Sequence, residues 1–87
     1  MAVQLYHRWH CGYSARVRDF IEKQQLGDRI EFIVLGEVKG AAAKLTELTG
    51  ETQVPCLVVD GEPMQESAAI VQWLDANLVQ GGANGLR

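Results

Sequence analysis

The stretch His10-Cys11-Gly12-Tyr13-Ser14 decides how the chain is read. It stands between a short apolar run, Val3-Gln4-Leu5-Tyr6, and a long segment with helical periodicity that begins near Ala15. This order places the thiol in a loop at the first turn of a helix. Backbone N–H groups are unpaired there and stabilise an anion, so the position favours the thiolate, which is the nucleophilic form of cysteine. A buried structural cysteine is the competing reading, since free cysteine is often a core residue. The polar and charged neighbours His7, Arg8, His10, Ser14 and Arg16 are poor company for a core residue and favour the anion.

Composition bounds the remaining choices. The chain has 87 residues, of which 47% are hydrophobic. That is enough for one small domain with a compact core and not for two. A formal charge of −3 argues against nucleic acid as the main partner. No apolar run approaches the length of a membrane span, so no membrane partner is expected. Met1-Ala2-Val3 opens directly into a strand pattern without a signal-peptide pattern. Two cysteines permit one disulfide but no framework, and a reducing cytoplasm is the expected compartment.

In chain order, residues 2–6 read as a buried strand and residues 7–11 as a polar loop. From Gly12 to about Leu26 the apolar positions Val17, Phe20 and Ile21 recur at helical spacing, and Gly27-Asp28 marks the stop. Residues 30–35 form a β-branched strand. Residues 38–49 read as a helix with a weak stripe, Ala42, Leu45 and Leu48, ended by Gly50. Pro55 precedes a third strand, residues 56–59. Asp60-Gly61 signals a hairpin, and Met64-Gln65 begins a short antiparallel fourth strand. Ser67 suits a helix N-cap, with Ala68, Ile70, Val71, Leu74 and Leu78 as the buried face and Trp73 packing or half-packing on the sheet. Residues 81–87 read as a flexible tail after a single domain spanning 1–80. The order β-α-β-α-β-β-α implies an α/β fold. Its one four-stranded mixed sheet carries helices on both faces, the thioredoxin-like (glutaredoxin) architecture.

Three motifs then carry a family resemblance. Cys11-Gly12-Tyr13-Ser14 after a strand, Gln53-Val54-Pro55 before a strand, and Glu66-Ser67-Ala68-Ala69-Ile70 at a helix start resemble the glutaredoxins. They resemble still more closely the N-terminal glutathione-binding domain of glutathione S-transferases. The resemblance runs from Val3 to about Leu78. It implies a cis Val54–Pro55 bond and glutathione as ligand. The position of Val54 would give main-chain hydrogen bonds to the cysteinyl part of glutathione, as an added strand pairs with a sheet edge. Glu66 and Ser67 would hold the γ-glutamyl end, where a helix start offers N–H donors to a carboxylate and Glu66 a partner to the amino group. Arg8 matches a basic position used on the glycyl carboxylate, Gln53 is a second candidate for that end, and Tyr13 would form a wall of the groove.

The sequence also departs from these families. Ser14 stands where dithiol glutaredoxins have their resolving cysteine, so the chemistry is expected to be monothiol. Gly12 replaces the usual proline, as in glutaredoxins that hold an iron–sulfur cluster between two subunits, but the lysine and tryptophan-proline signatures of that group are missing. Ala68-Ala69 replace an acidic pair, which leaves the glutathione amino group to Glu66. A segment matching the helical C-terminal domain of a transferase is not found, so general conjugating activity is not expected. Cys56 is expected to be buried and inert. His7 and His10 lack the partners and spacing of a zinc site. The expectation is a glutathione-dependent thiol-disulfide oxidoreductase, a monomer or weak dimer, acting on glutathionylated proteins or small disulfides. A glutathione-ligated iron–sulfur dimer and a glutathione-binding module without turnover are the alternatives.

Overall fold

The computed structural model describes residues 1–80. The expected tail lies outside the described residues. Four strands and three helices follow one another as β1 (Val3–His7), α1 (Gly12–Lys23), β2 (Glu31–Val34), α2 (Ala41–Thr49), β3 (Cys56–Val59), β4 (Glu62–Gln65) and α3 (Ser67–Leu74). The sheet order is β2-β1-β3-β4, with β1 and β2 parallel and the other two pairs antiparallel. This is the expected mixed sheet. No described helix is long and apolar enough to cross a membrane.

Strand alternation sorts the apolar side chains into two layers. Val3, Leu5 and Leu57 pack with Val17 and Ile21 of α1 and with Ile70 and Leu74 of α3. Tyr6, Ile33, Cys56 and Val58 pack on the other face with Ala41 and Leu45 of α2. Each fully buried aliphatic side chain contributes about 1.5–3 kcal/mol relative to exposure, and both layers therefore anchor β1, which leads to the thiol region, and β3, which follows Pro55. Trp73 packs partly against the first layer, as expected.

Several boundaries differ from the sequence reading, each for a local reason. Helix α1 ends at Lys23, well before Gly27, because Gln25 takes a left-handed conformation at φ 57°. The Leu26 N–H then bonds to the Ile21 carbonyl at 2.9 Å and the Gln25 N–H to the Glu22 carbonyl at 3.1 Å. These bonds close a Schellman turn without glycine, helped by the buried pair Leu26 and Ile21. Helix α2 begins at Ala41 rather than Val38, since Gly40 at φ 81° occupies its N-cap. Its buried residues are Ala41 and Leu45, and Ala42 is exposed. The hairpin is as expected, with Asp60 and Gly61 both at positive φ, the requirement of a type I′ turn. Strand β4 starts earlier than Met64, at Glu62, and tolerates Pro63 because it is an edge strand. In α3, Ala68 is exposed and Val71 half-buried, so the inward face is Ser67, Ile70 and Leu74. The chain continues as a π-helical segment, Asp75–Gln80, in which Leu78 is buried.

Candidate active site

Strand β1 delivers the chain to the mouth of the fold, and α1 starts directly after Cys11. Cys11 is the N-cap of α1, with extended φ −126° and ψ 119°. Its carbonyl accepts the Ala15 N–H at 2.9 Å. The thiol is partly exposed and free. Its side chain closes no cap hydrogen bond of full geometry. Even so, the Ser14 N–H is the leading influence pulling the Cys11 pKa below the ordinary thiol range. Partial burial opposes it, and the Ser14 hydroxyl, the Tyr13 N–H and the Arg18 charge add to it. A helix N-terminus beside a cysteine favours its anion.

Two details of that environment differ from expectation. Ser14 is fully buried, and its hydroxyl accepts the Arg8 N–H at 3.3 Å. It ties the loop to the helix as well as standing in the resolving position. The cation that acts on the thiol is Arg18, whereas Arg8, His10 and Arg16 point to solvent as exposed residues. Arg18 was overlooked in the sequence. The available signal was helical spacing: Cys11, Ser14 or Ala15, and Arg18 fall on one face at i, i+3/i+4 and i+7.

His7 is also not a loop residue. It ends β1, is fully buried, and meets the edges of Trp9 and Phe32 at ring-centroid distances of 4.9 and 5.8 Å. Arg18 Nη1 lies 3.1 Å from His7 Nδ1. A guanidinium only donates, so Nδ1 accepts and the ring proton is assigned to Nε2. That Nε2 is buried without a hydrogen-bond partner. Burial, then the Arg18 charge, lowers the His7 pKa, against a smaller opposing pull from Glu37.

On the other side of the thiol, a cleft of about 370 Å³ is lined by Tyr13, Gln53, Val54, Pro55, Glu66, Ser67 and Ala68. Six of the eight residues singled out for catalysis or ligand binding therefore meet in one place. Cys11 and Arg8 are not part of its lining. The Val54–Pro55 bond is cis. Ser67, taken as an N-cap from sequence, is instead the first helical residue. Glu66 occupies the N-cap at φ 75° and ψ 116°, closes no side-chain cap bond, and accepts the Ile70 N–H on its carbonyl at 3.0 Å. A positive φ on a residue with a Cβ is costly and points to a functional constraint. A second hollow, about 510 Å³, lies along α1 beneath the exposed Trp9 and Phe32 and is walled partly by Arg18. Among the described residues, no three His, Cys, Asp or Glu side chains converge as a metal site would need.

Cys56 is wholly buried in the layer against α2, and burial raises its pKa. The two thiols thus differ in setting, one partly exposed at a helix terminus and one buried in the core.

Fold and site together define a thioredoxin-fold protein with a cysteine at the helix start beside a peptide-sized cleft. The family model for the glutathione S-transferase N-terminal domain matches residues 10–77, and the chain belongs to that family. Among solved structures it is similar to a diazinon-metabolizing glutathione S-transferase of the silkworm Bombyx mori, at 22% identity and a TM-score of 0.74 over 93% of this chain and 40% of that one. Glutathione transferase Omega 3C from Trametes versicolor shares 19% identity at a TM-score of 0.74, covering 90% of this chain and 34% of that one. A glutathione transferase family member from Pseudomonas fluorescens, solved with bound glutathione, shares 21% identity at 0.73, covering 86% and 38%. The chain thus spans well under half the length of these structures. No curated protein sequence matches it.

Proposed function

We propose that the protein is a glutathione-dependent thiol-disulfide oxidoreductase that works through Cys11 alone. The observation that carries this reading is the free, partly exposed Cys11 at the N-cap of α1, with Tyr13 of the same helix turn lining the cleft formed by Gln53, Val54, Pro55, Glu66 and Ser67. Glutathione lies in that cleft with its cysteinyl backbone along Val54 and its γ-glutamyl end at Glu66 and Ser67. Gln53 and Arg8 are the candidates for its glycyl carboxylate. Family membership supports glutathione as ligand, as does the bound glutathione in the Pseudomonas fluorescens relative.

In the reaction, the Cys11 thiolate attacks the glutathionyl sulfur of a mixed disulfide. The new Cys11–glutathione disulfide forms as the old sulfur–sulfur bond breaks, and the substrate leaves as a thiolate that takes a proton from water. A second glutathione thiolate then attacks the bound glutathionyl sulfur, releasing glutathione disulfide and the Cys11 thiolate. The net exchange converts one mixed disulfide and one glutathione into a free thiol and glutathione disulfide. The helix terminus serves both halves, because Cys11 is nucleophile in the first and leaving group in the second. The fold aligns the sulfurs. A reducing cytoplasm suits this chemistry.

A second reading, a transferase-like module that binds glutathione without turnover, draws on the family match itself. Reduction of a glutathionylated small disulfide, measured with wild type and Cys11→Ser, separates the two. Turnover lost in Cys11→Ser supports the oxidoreductase. Glutathione binding with no turnover in wild type supports the module.

A further inference from the structure

We propose that Arg18 is the positioning residue of the thiol loop, holding the backbone between β1 and α1 so that Cys11 faces the first-turn N–H groups. The inference rests on the reading of Cys11 as the reactive thiol. The guanidinium spans the loop from beneath. Its Nη1 donates to the Arg8 carbonyl at 2.8 Å and its Nη2 to the Trp9 carbonyl at 3.2 Å. The same Nη1 reaches His7 Nδ1 at 3.1 Å, and the guanidinium carbon lies 5.0 Å from the centre of the Trp9 ring. Three consecutive residues leading to the cysteine, His7, Arg8 and Trp9, are thus tied to one side chain on α1. The Arg8 backbone is held on both sides of its Cα, its N–H by the Ser14 hydroxyl and its carbonyl by Arg18.

These contacts need an arginine. A planar fork reaches two successive carbonyls and a ring nitrogen at fixed angles, and it stacks on an aromatic face. An ammonium group keeps the positive charge but presents one point, so it can hold one carbonyl and not the set. Buried His7 fixes the inner end of the fork, since its neutral ring offers Nδ1 only as an acceptor. Among the described residues, Ser14 Oγ and Arg18 are the side chains that fasten the Arg8–Trp9 backbone, and without them the loop would leave the cysteine free to turn away from Ser14.

The test is alkylation of Cys11 by iodoacetamide against pH, read by peptide mass spectrometry, in wild type, Arg18→Lys, Arg18→Met and Arg16→Met. Folding is checked by circular dichroism. The expected result is a midpoint for both Arg18 variants raised by roughly one pH unit, with Arg16→Met like wild type. Arg18→Lys behaving as wild type would reduce Arg18 to a charge and overturn the inference, as would an unmoved midpoint in both. If Arg18→Met fails to fold, Arg18→Lys decides alone. A wild-type midpoint at the free-thiol value would instead defeat the reactive-thiol reading itself. Glutathione is not needed, so the outcome is separable from turnover.

Discussion

Cys56 stands directly opposite Tyr6 across the β1–β3 ladder, and both side chains belong to the core layer that packs on α2. Cys11 belongs to the loop that enters α1, whose buried residues pack on the other face. The sheet thus separates the two thiols by role. In the native protein one cysteine should react with a thiol reagent, and two should react in denaturant. Cys56→Ala should keep most glutathione-dependent activity while losing on the order of 1 kcal/mol of stability through the lost packing. Loss of activity without loss of stability would make Cys56 a participant.

Ser14 is a buried tether as well as a donor to the thiol. Ser14→Ala removes the acceptor of the Arg8 N–H and the hydroxyl that faces Cys11. It should cost roughly 1 kcal/mol and raise the pH midpoint of Cys11 alkylation. A Ser14→Ala midpoint equal to wild type would leave the backbone N–H groups and the Arg18 charge as the causes.

Glu66 offers a separation of binding from folding. Its φ of 75° favours glycine, so Glu66→Gly should be no less stable than wild type in a thermal melt. The same variant and Glu66→Gln should both bind glutathione more weakly in calorimetry. Wild-type affinity in Glu66→Gln would move the γ-glutamyl site elsewhere.

Acid should weaken the fold through His7. Its folded pKa is lowered from 6.5 by burial and by Arg18, against Glu37, with Trp9 and Phe32 as its uncharged neighbours. The unfolded chain therefore takes up a proton first as pH falls. The stability that neutral His7 contributes is complete above 6.5 and is lost as pH drops through the folded value. Melting temperature should fall across that window, and His7→Gln should flatten the fall. Parallel slopes in the two proteins would assign the acid sensitivity to other groups.

Periodicity and turn chemistry made most of the fold legible from sequence. Asp60-Gly61 announced its hairpin and Gly50 its helix end, because those turns require glycine at positive φ. Where non-glycine residues adopt such angles, the signal fails. Gln25 ended α1 early, and Glu66 took the cap expected of Ser67. The cleft was legible because its residues fall in short local motifs around Cys11, Pro55 and Ser67. Arg18 and His7 were not, because their roles arise from β1 packing against α1, and a histidine next to polar residues reads as loop until burial is seen.

The most direct test is mass spectrometry of the intact protein after incubation with glutathione disulfide, followed by peptide mapping. The monothiol mechanism predicts one glutathionyl group, on Cys11, removed by added glutathione. A loss of two hydrogens with the Cys11 and Cys56 peptides cross-linked, or an unmodified Cys11, would contradict it.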